Sequence, residues 1–166
     1  MLDGFDLDAI VIDELTADDL ARIAWSGSPV HIRSVARKLE RVADGSLEYL
    51  AARGPDGEPV SKGLIDYARN DDAGTLEQLA TRAELMSRGI GTKLIREAER
   101  RIRERGKRWA VLSVEDNNPR ARSLYERLGY VEYARVPDAW DAVNEQGETF
   151  RYETVVPLLR KDVRTP

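Results

Sequence analysis

Cysteine is missing altogether from this 166-residue chain, and His31 is its single histidine. Disulfide staples, thiolate metal sites and a cysteine nucleophile are thereby excluded, and a Ser-His triad would have to use His31. No apolar run is long enough to span a bilayer, and the N-terminal stretch MLDGFDLDAI lacks the basic start of a secretory signal. A cytoplasmic protein with no membrane partner is expected. A basic field is lacking too: 26 Lys and Arg face 30 Asp and Glu, leaving a net charge of −4. Holding nucleic acid through its phosphates needs clustered cations, so no nucleic-acid partner is expected. Repeats and low-complexity tracts are also absent.

What is present reads as one globular domain over residues 1–166. Hydrophobic residues make up 42% and charged residues 34%, enough to bury a core without staples. Ala9 to Leu15 reads as a first strand, after which Thr16 can cap a helix over TADDLARIAW. His31 to Val42 has helical periodicity, with Ile32, Val35, Leu39 and Val42 on one face. Three strands follow, over Leu47 to Arg53, Val60 to Arg69 and Thr75 to Thr81, separated by the turn-rich GPDGEP and NDDAG. In the third, Leu76, Gln78 and Ala80 alternate with Glu77, Leu79 and Thr81.

A helix from about Gly91 to Arg105 comes next, with Leu94, Ile95, Ala98 and Ile102 as its apolar stripe. Trp109 to Val114 is a short apolar strand. Strand, helix and strand form a βαβ unit, so the two strands should be parallel. Asn118 and Pro119 then open another helix, which Gly129 closes. Tyr130 to Val136 and Thr149 to Leu159 read as the last strands, joined by a long polar connection carrying Trp140. Pro157 makes the end of the last strand a poor interior ladder element.

The stretch SRGIGTKL puts two glycines where the helix must start. Helix N-termini expose unpaired N–H groups and carry partial positive charge, and glycine lets an anion such as phosphate approach them closely. Arg88 and Thr92 add a cation and a hydroxyl. The other reading is a plain strand-to-helix turn that uses glycine for its positive φ, and Gly-x-Gly alone slightly favours it. The nucleotide P-loop pattern has no match here, and a dinucleotide fingerprint would need glycine where Leu94 stands.

One crossover later, NPRARSLYERLGY runs from Asn118 to Tyr130. The two stretches in register resemble the GCN5-related N-acetyltransferase family. Asn118, Ala121, Leu124, Tyr125, Gly129 and Tyr130 fit its second motif, Gly89 and Gly91 fit its first, and LATRAELM resembles its fourth strand. The resemblance implies an α+β fold: a mixed, mostly antiparallel sheet of about seven strands, about four flanking helices, and parallel strands four and five splayed into a V. It implies acetyl-CoA as cosubstrate and no metal. The pantetheine arm would pair near Leu79 and Thr81, the diphosphate would sit over Arg88, Gly89, Ile90, Gly91 and Thr92, and Asn118 and Tyr125 would position the arm. A primary amine of a small molecule or peptide would attack the thioester directly, near a strand-four N–H around Leu79. Dimers are common among such proteins, which makes a homodimer an expected partner state.

For the chemistry, the resemblance makes Tyr125 the general acid for the departing thiolate. From the residues alone, Tyr125 would merely pack its helix onto the sheet. Glu77, in phase with Leu79 and Thr81, is the candidate base, against a solvated strand carboxylate. Ser113 is a candidate for positioning water. Trp25, Trp140, Asp138, Asp141 and Glu145 lie in regions expected to form the acceptor pocket, which Asp66 and Tyr67 also face on this reading; His31 is expected to pack. The family's first motif has Gln or Arg where this chain has Met86, which cannot donate to a phosphate. That departure motivates the alternative reading, a non-catalytic acyl-CoA-binding or regulatory domain.

Overall fold

The computed structural model describes residues 6–164. Seven strands form one sheet in the order β1-β2-β3-β4-β5-β7-β6. They are β1 (Val11–Glu14), β2 (Leu47–Arg53), β3 (Pro59–Asp66), β4 (Ala73–Thr81), β5 (Trp109–Ser113), β6 (Val131–Val143) and β7 (Thr149–Asp162). Every neighbouring pair is antiparallel except β4 and β5, which are parallel as the βαβ reading requires.

Three α-helices flank the sheet: α1 (Pro29–Leu39), α2 (Ile90–Glu104) and α3 (Pro119–Arg127). In place of the α-helix read over TADDLARIAW stand two 3-10 pieces, Ala17–Arg22 and Ala24–Ser26. Asp19 there is held by both Arg53 guanidinium nitrogens at 2.8 Å, which ties the short turn to β2. Helix α1 starts earlier than its periodicity suggests, because Ser28 accepts a hydrogen bond from the His31 N–H and Pro29 takes the first turn. No helix among the described residues is long and apolar enough to cross a membrane.

Strand alternation divides the core in two. Leu47, Tyr49 and Ala51 of β2 and Leu64 of β3 face α1, with Ile23 and Val35. Leu50, Ala52 and Ile65 point the other way, onto Leu94, Ile95, Ala98 and Ile102 of α2. That apolar stripe is the one legible in the sequence.

The end of the chain departs from expectation. The segment read as a polar connection is strand: β6 and β7 pair from Val131↔Arg160 to Val143↔Thr149, and the turn is confined to the residues between them. Pro137 pairs with Val155 on the sheet's edge strand, where a missing N–H is tolerated. Pro157 does lie in an interior strand. Its carbonyl accepts from the Val114 N–H at 3.4 Å, so its nitrogen also faces the β5 side, beyond the last paired residue Ser113. The proline therefore removes no bond to β6.

Candidate active site

Strands β4 and β5 pair only through Ala73↔Trp109, Gly74↔Ala110 and Thr75↔Val111. Beyond Thr75 they separate, leaving one edge of β4 without a strand neighbour. A bulge marks the parting. Between Lys62 and Leu64 the β3–β4 register slips, and Gln78 takes a left-handed φ of +55°. The bulge breaks the alternation read from the sequence. Glu77 pairs with Lys38 of α1, whereas Leu79 packs toward Gly63 and Leu94 on the α2 side. The expected common phase of Glu77 with Leu79 is therefore not realised; the extra residue puts them on opposite faces.

Two cavities meet at the gap. The smaller, of about 420 Å³, runs from the start of α2 to the β4 edge. Leu79, Thr81, Gly89, Ile90, Gly91, Thr92, Asn118 and Tyr125 all line it, which gathers the residues expected around a cofactor with one exception. Arg88 is exposed and is not part of the lining. Arg120 and Arg127 line it instead, and Arg120 bonds the Ser87 hydroxyl across the mouth. Gly89 holds a φ of +89° before α2, and a Cβ built on it would lie 3.1 Å from Leu7. Gly91 would aim a Cβ at Thr81 across the cavity. Met86, 42% exposed, sits on the rim.

These walls suit a diphosphate joined to a long neutral arm. Helix-start amides line the cavity, Arg120 and Arg127 add cations along α3, apolar side chains such as Leu85 and Leu124 complete the wall, and the unpaired β4 edge runs alongside. Sequence reasoning missed the two arginines, although their signal was present. Positions 120, 124 and 127 share one helical face, so Arg120 and Arg127 flank Leu124 toward the cavity.

The larger cavity, about 1110 Å³, opens on the other side of the gap and contains Glu77, Ser113, His31, Asp138, Trp140 and Asp141 in its wall. Leu79, Asn118 and Tyr125 line both spaces. The pairing of β6 with β7 forms a ribbon along one side of the larger cavity. Trp25 lines the smaller cavity rather than the larger, and Glu145 lines neither. Asp66 is clamped by Arg41 at 2.9 and 3.0 Å, and Tyr67 bonds Glu48 under a stacked Arg105. Neither lines the cavity it was expected to serve: Asp66 is engaged by Arg41 on the α1 face, and Tyr67 packs with the α2-side core.

Tyr125 lies edge-on to Tyr130, and burial pushes its phenol above its usual range. It is thus protonated at neutral pH, and among the described residues its hydroxyl makes no hydrogen bond. Asn118 caps α3, accepting from the Ala121 N–H at 3.2 Å. Glu77 forms ion pairs with Arg69 at 2.5 Å and Lys38 at 3.3 Å, so both carboxylate oxygens face a cation. Ser113 is exposed at the last position of β5.

Residues 17–130 match the model of the acetyltransferase (GNAT) family. No curated protein sequence matches the chain. Among solved structures, the ribosomal-protein-S18-alanine N-acetyltransferase of Escherichia coli is similar with a TM-score of 0.72 at 17% identity, over 95% of this chain and 96% of that one. The spermidine N-acetyltransferase of Vibrio cholerae, solved with CoA and spermine, gives 0.70 at 16%, over 93% and 96%. The IAA acetyltransferase of Bacillus cereus gives 0.69 at 17%, over 92% and 99%. At such identities the likeness is one of fold.

Proposed function

This chain belongs to the acetyltransferase (GNAT) family, and on that premise we propose that it moves the acetyl group of acetyl-CoA to a primary amine of a small molecule or peptide by direct attack. The observation that carries this reading is the parting of β4 from β5 after Thr75, with a cavity on either side and Tyr125 at their junction.

In this reading the smaller cavity takes acetyl-CoA. Main-chain amides from Gly89 to Thr92 hold the diphosphate, with Arg120 and Arg127 supplying the cations that Met86 does not. The free edge of β4 at Leu79 and Thr81 pairs with the arm, and Asn118 and Tyr125 flank its end. The amine enters through the larger cavity. It must be neutral to attack, so a proton leaves toward water near Glu77 and Ser113. As nitrogen bonds to the carbonyl carbon, charge gathers on the carbonyl oxygen, and the Leu79 N–H meets it. The carbon–sulfur bond then breaks, Tyr125 gives its proton to the thiolate, and the excess proton still on the nitrogen leaves through water, giving the amide and restoring the phenol.

Calorimetry with acetyl-CoA, followed by thiol release with a panel of amines, tests the proposal. Binding at micromolar concentration with turnover of at least one amine is the expected result. Absence of binding would defeat it, and binding without turnover across polyamines, amino acids and peptide N-termini would favour a regulatory acyl-CoA-binding domain.

A further inference from the structure

Lys62 lies in the middle of β3 with no exposed surface, and among the described residues no carboxylate pairs with it. A buried ammonium needs partners for three donors. Lys62 Nζ has three: the Tyr49 hydroxyl at 3.1 Å, His31 Nε2 at 3.1 Å and the main-chain carbonyl of Gln78 at 3.0 Å. The Tyr49 hydroxyl passes its own proton to Gln78 Oε1 at 2.8 Å, and Gln78 Nε2 donates to Ser34 at 3.0 Å. Every member of the network is satisfied, and it converges on the bulged residue.

The carbonyl of Gln78 and the N–H of Leu79 belong to one peptide unit and point in opposite directions. Lys62 holds the carbonyl end on the α1 side. The amide end therefore points away from Lys62. Ladder alternation agrees: Arg82 donates to Val60 and Ala80 pairs with Lys62, so Leu79 and Thr81 turn their N–H groups to the unpaired edge. Leu79 lines both cavities.

We infer that Lys62 is a positioning residue for acyl transfer: its buried ammonium fixes and polarises the Gln78–Leu79 peptide so that the Leu79 N–H takes the charge developing on the thioester oxygen. The inference rests on the acetyltransferase reading above and adds a residue to it. Pulling electron density toward a carbonyl strengthens the N–H of the same peptide as a donor, and the low polarity around Lys62 magnifies that pull. Gln78 adopts its left-handed backbone where this peptide is turned, which gives the bulge a chemical purpose beyond curvature.

The device works only while Lys62 is charged. Burial draws its pKa down to about 7, so the ammonium is present below that value and lost above it. The groups facing it are His31 of α1, Tyr49 of β2 and Gln78 of β4, and the ion-paired Lys38 and Glu77 lie on the same face of the sheet. His31, drawn down to about 4 by burial and by Lys62, stays neutral through this range.

Two measurements test the inference. In the free wild-type protein, the amide nitrogen resonance of Leu79 followed by NMR should titrate with a midpoint near pH 7, and should stop titrating in Lys62→Met. In kinetics, Lys62→Met should lower kcat about tenfold, less than the loss of a whole oxyanion donor, with KM for acetyl-CoA within about twofold. The wild-type kcat should fall through the same midpoint, a limb missing from the variant. A wild-type kcat in Lys62→Met, or a Leu79 resonance indifferent to Lys62 ionisation, overturns the inference. If Lys62→Met does not fold, the wild-type titration decides alone. Absence of acetyl-CoA binding would refute the acetyltransferase reading instead, and the resonance readout is independent of it.

Discussion

At the closed end of the β4–β5 pair, Gly74 is wedged so tightly that a Cβ would meet Ile102 at 2.6 Å and Ile65 at 2.7 Å. At the open end, a few residues along the same strand, the backbone bulges, a lysine is buried, and two cavities meet. The first region is close-packed hydrocarbon, where any added atom forces its neighbours to move. The second gives up ladder bonds and hydrocarbon packing for polar groups that must be individually satisfied. On the proposed reading, stability and chemistry thus occupy opposite ends of one strand pair.

Substitutions can break that division or sharpen it. The largest effect is expected at the junction itself. Tyr125→Phe should lower kcat about a hundredfold while leaving acetyl-CoA affinity and the melting temperature nearly unchanged. Unaltered turnover in a variant whose chemistry is rate-limiting would remove Tyr125 as the acid. Next comes the α2 start. Gly89→Val puts a β-branched residue at φ +89° and against Leu7, and should weaken acetyl-CoA binding by about tenfold with a loss of about 1–2 kcal/mol in stability. Wild-type affinity by calorimetry would count against the phosphate assignment.

The closed end should respond in the opposite sense. Gly74→Ala is expected to lower stability by about 2 kcal/mol, or roughly 4–8 °C, with kcat per folded molecule preserved. A variant that lost turnover but not stability would show that the two ends are not separable. Glu77→Gln should reduce kcat/KM by about tenfold at pH 7 and by less at pH 9, where more of the amine is neutral unaided. An equal loss at both pH values would point to the ion pairs with Arg69 and Lys38 rather than to proton removal. The smallest effect is on acid stability. His31 has its pKa lowered on folding, so the unfolded chain binds its proton first as pH falls from 6.5 toward 4. Stability should therefore decline through that window, and His31→Gln should flatten the decline in melting temperature.

Legibility followed the same division. The apolar stripe of α2, the cap at Asn118 and Pro119, and the βαβ crossover are local patterns, and each was readable from spacing and composition. The smaller cavity was readable in part: the glycines of the α2 start and the Asn118–Tyr125 motif pointed to it, whereas Arg120 and Arg127 did not stand out. The bulge was not. Gln78 sits in an alternating strand pattern, and nothing in its side chain announces a left-handed backbone; the slip arises from pairing with β3. Lys62 looks like the solvated member of an exposed face, since burial depends on α1 crossing above it. In the β6–β7 ribbon, the outer part of β6, residues 137–143, was read as loop because its polarity and Pro137 are tolerated on a sheet edge.

That ribbon has a consequence for acceptor choice. Beyond the end of β5 the two strands have only each other as ladder partners, and Trp140 stacks on Tyr152 with ring centres 5.0 Å apart. The overhang is thus anchored at its base and self-supporting along its length, much as an awning is fixed to one wall. On the proposed reading, its residues can be exchanged, lengthened or recharged without disturbing the α2-start amides assigned to the acyl donor. A lineage built on this frame can change its choice of amine at the awning and keep one donor site throughout.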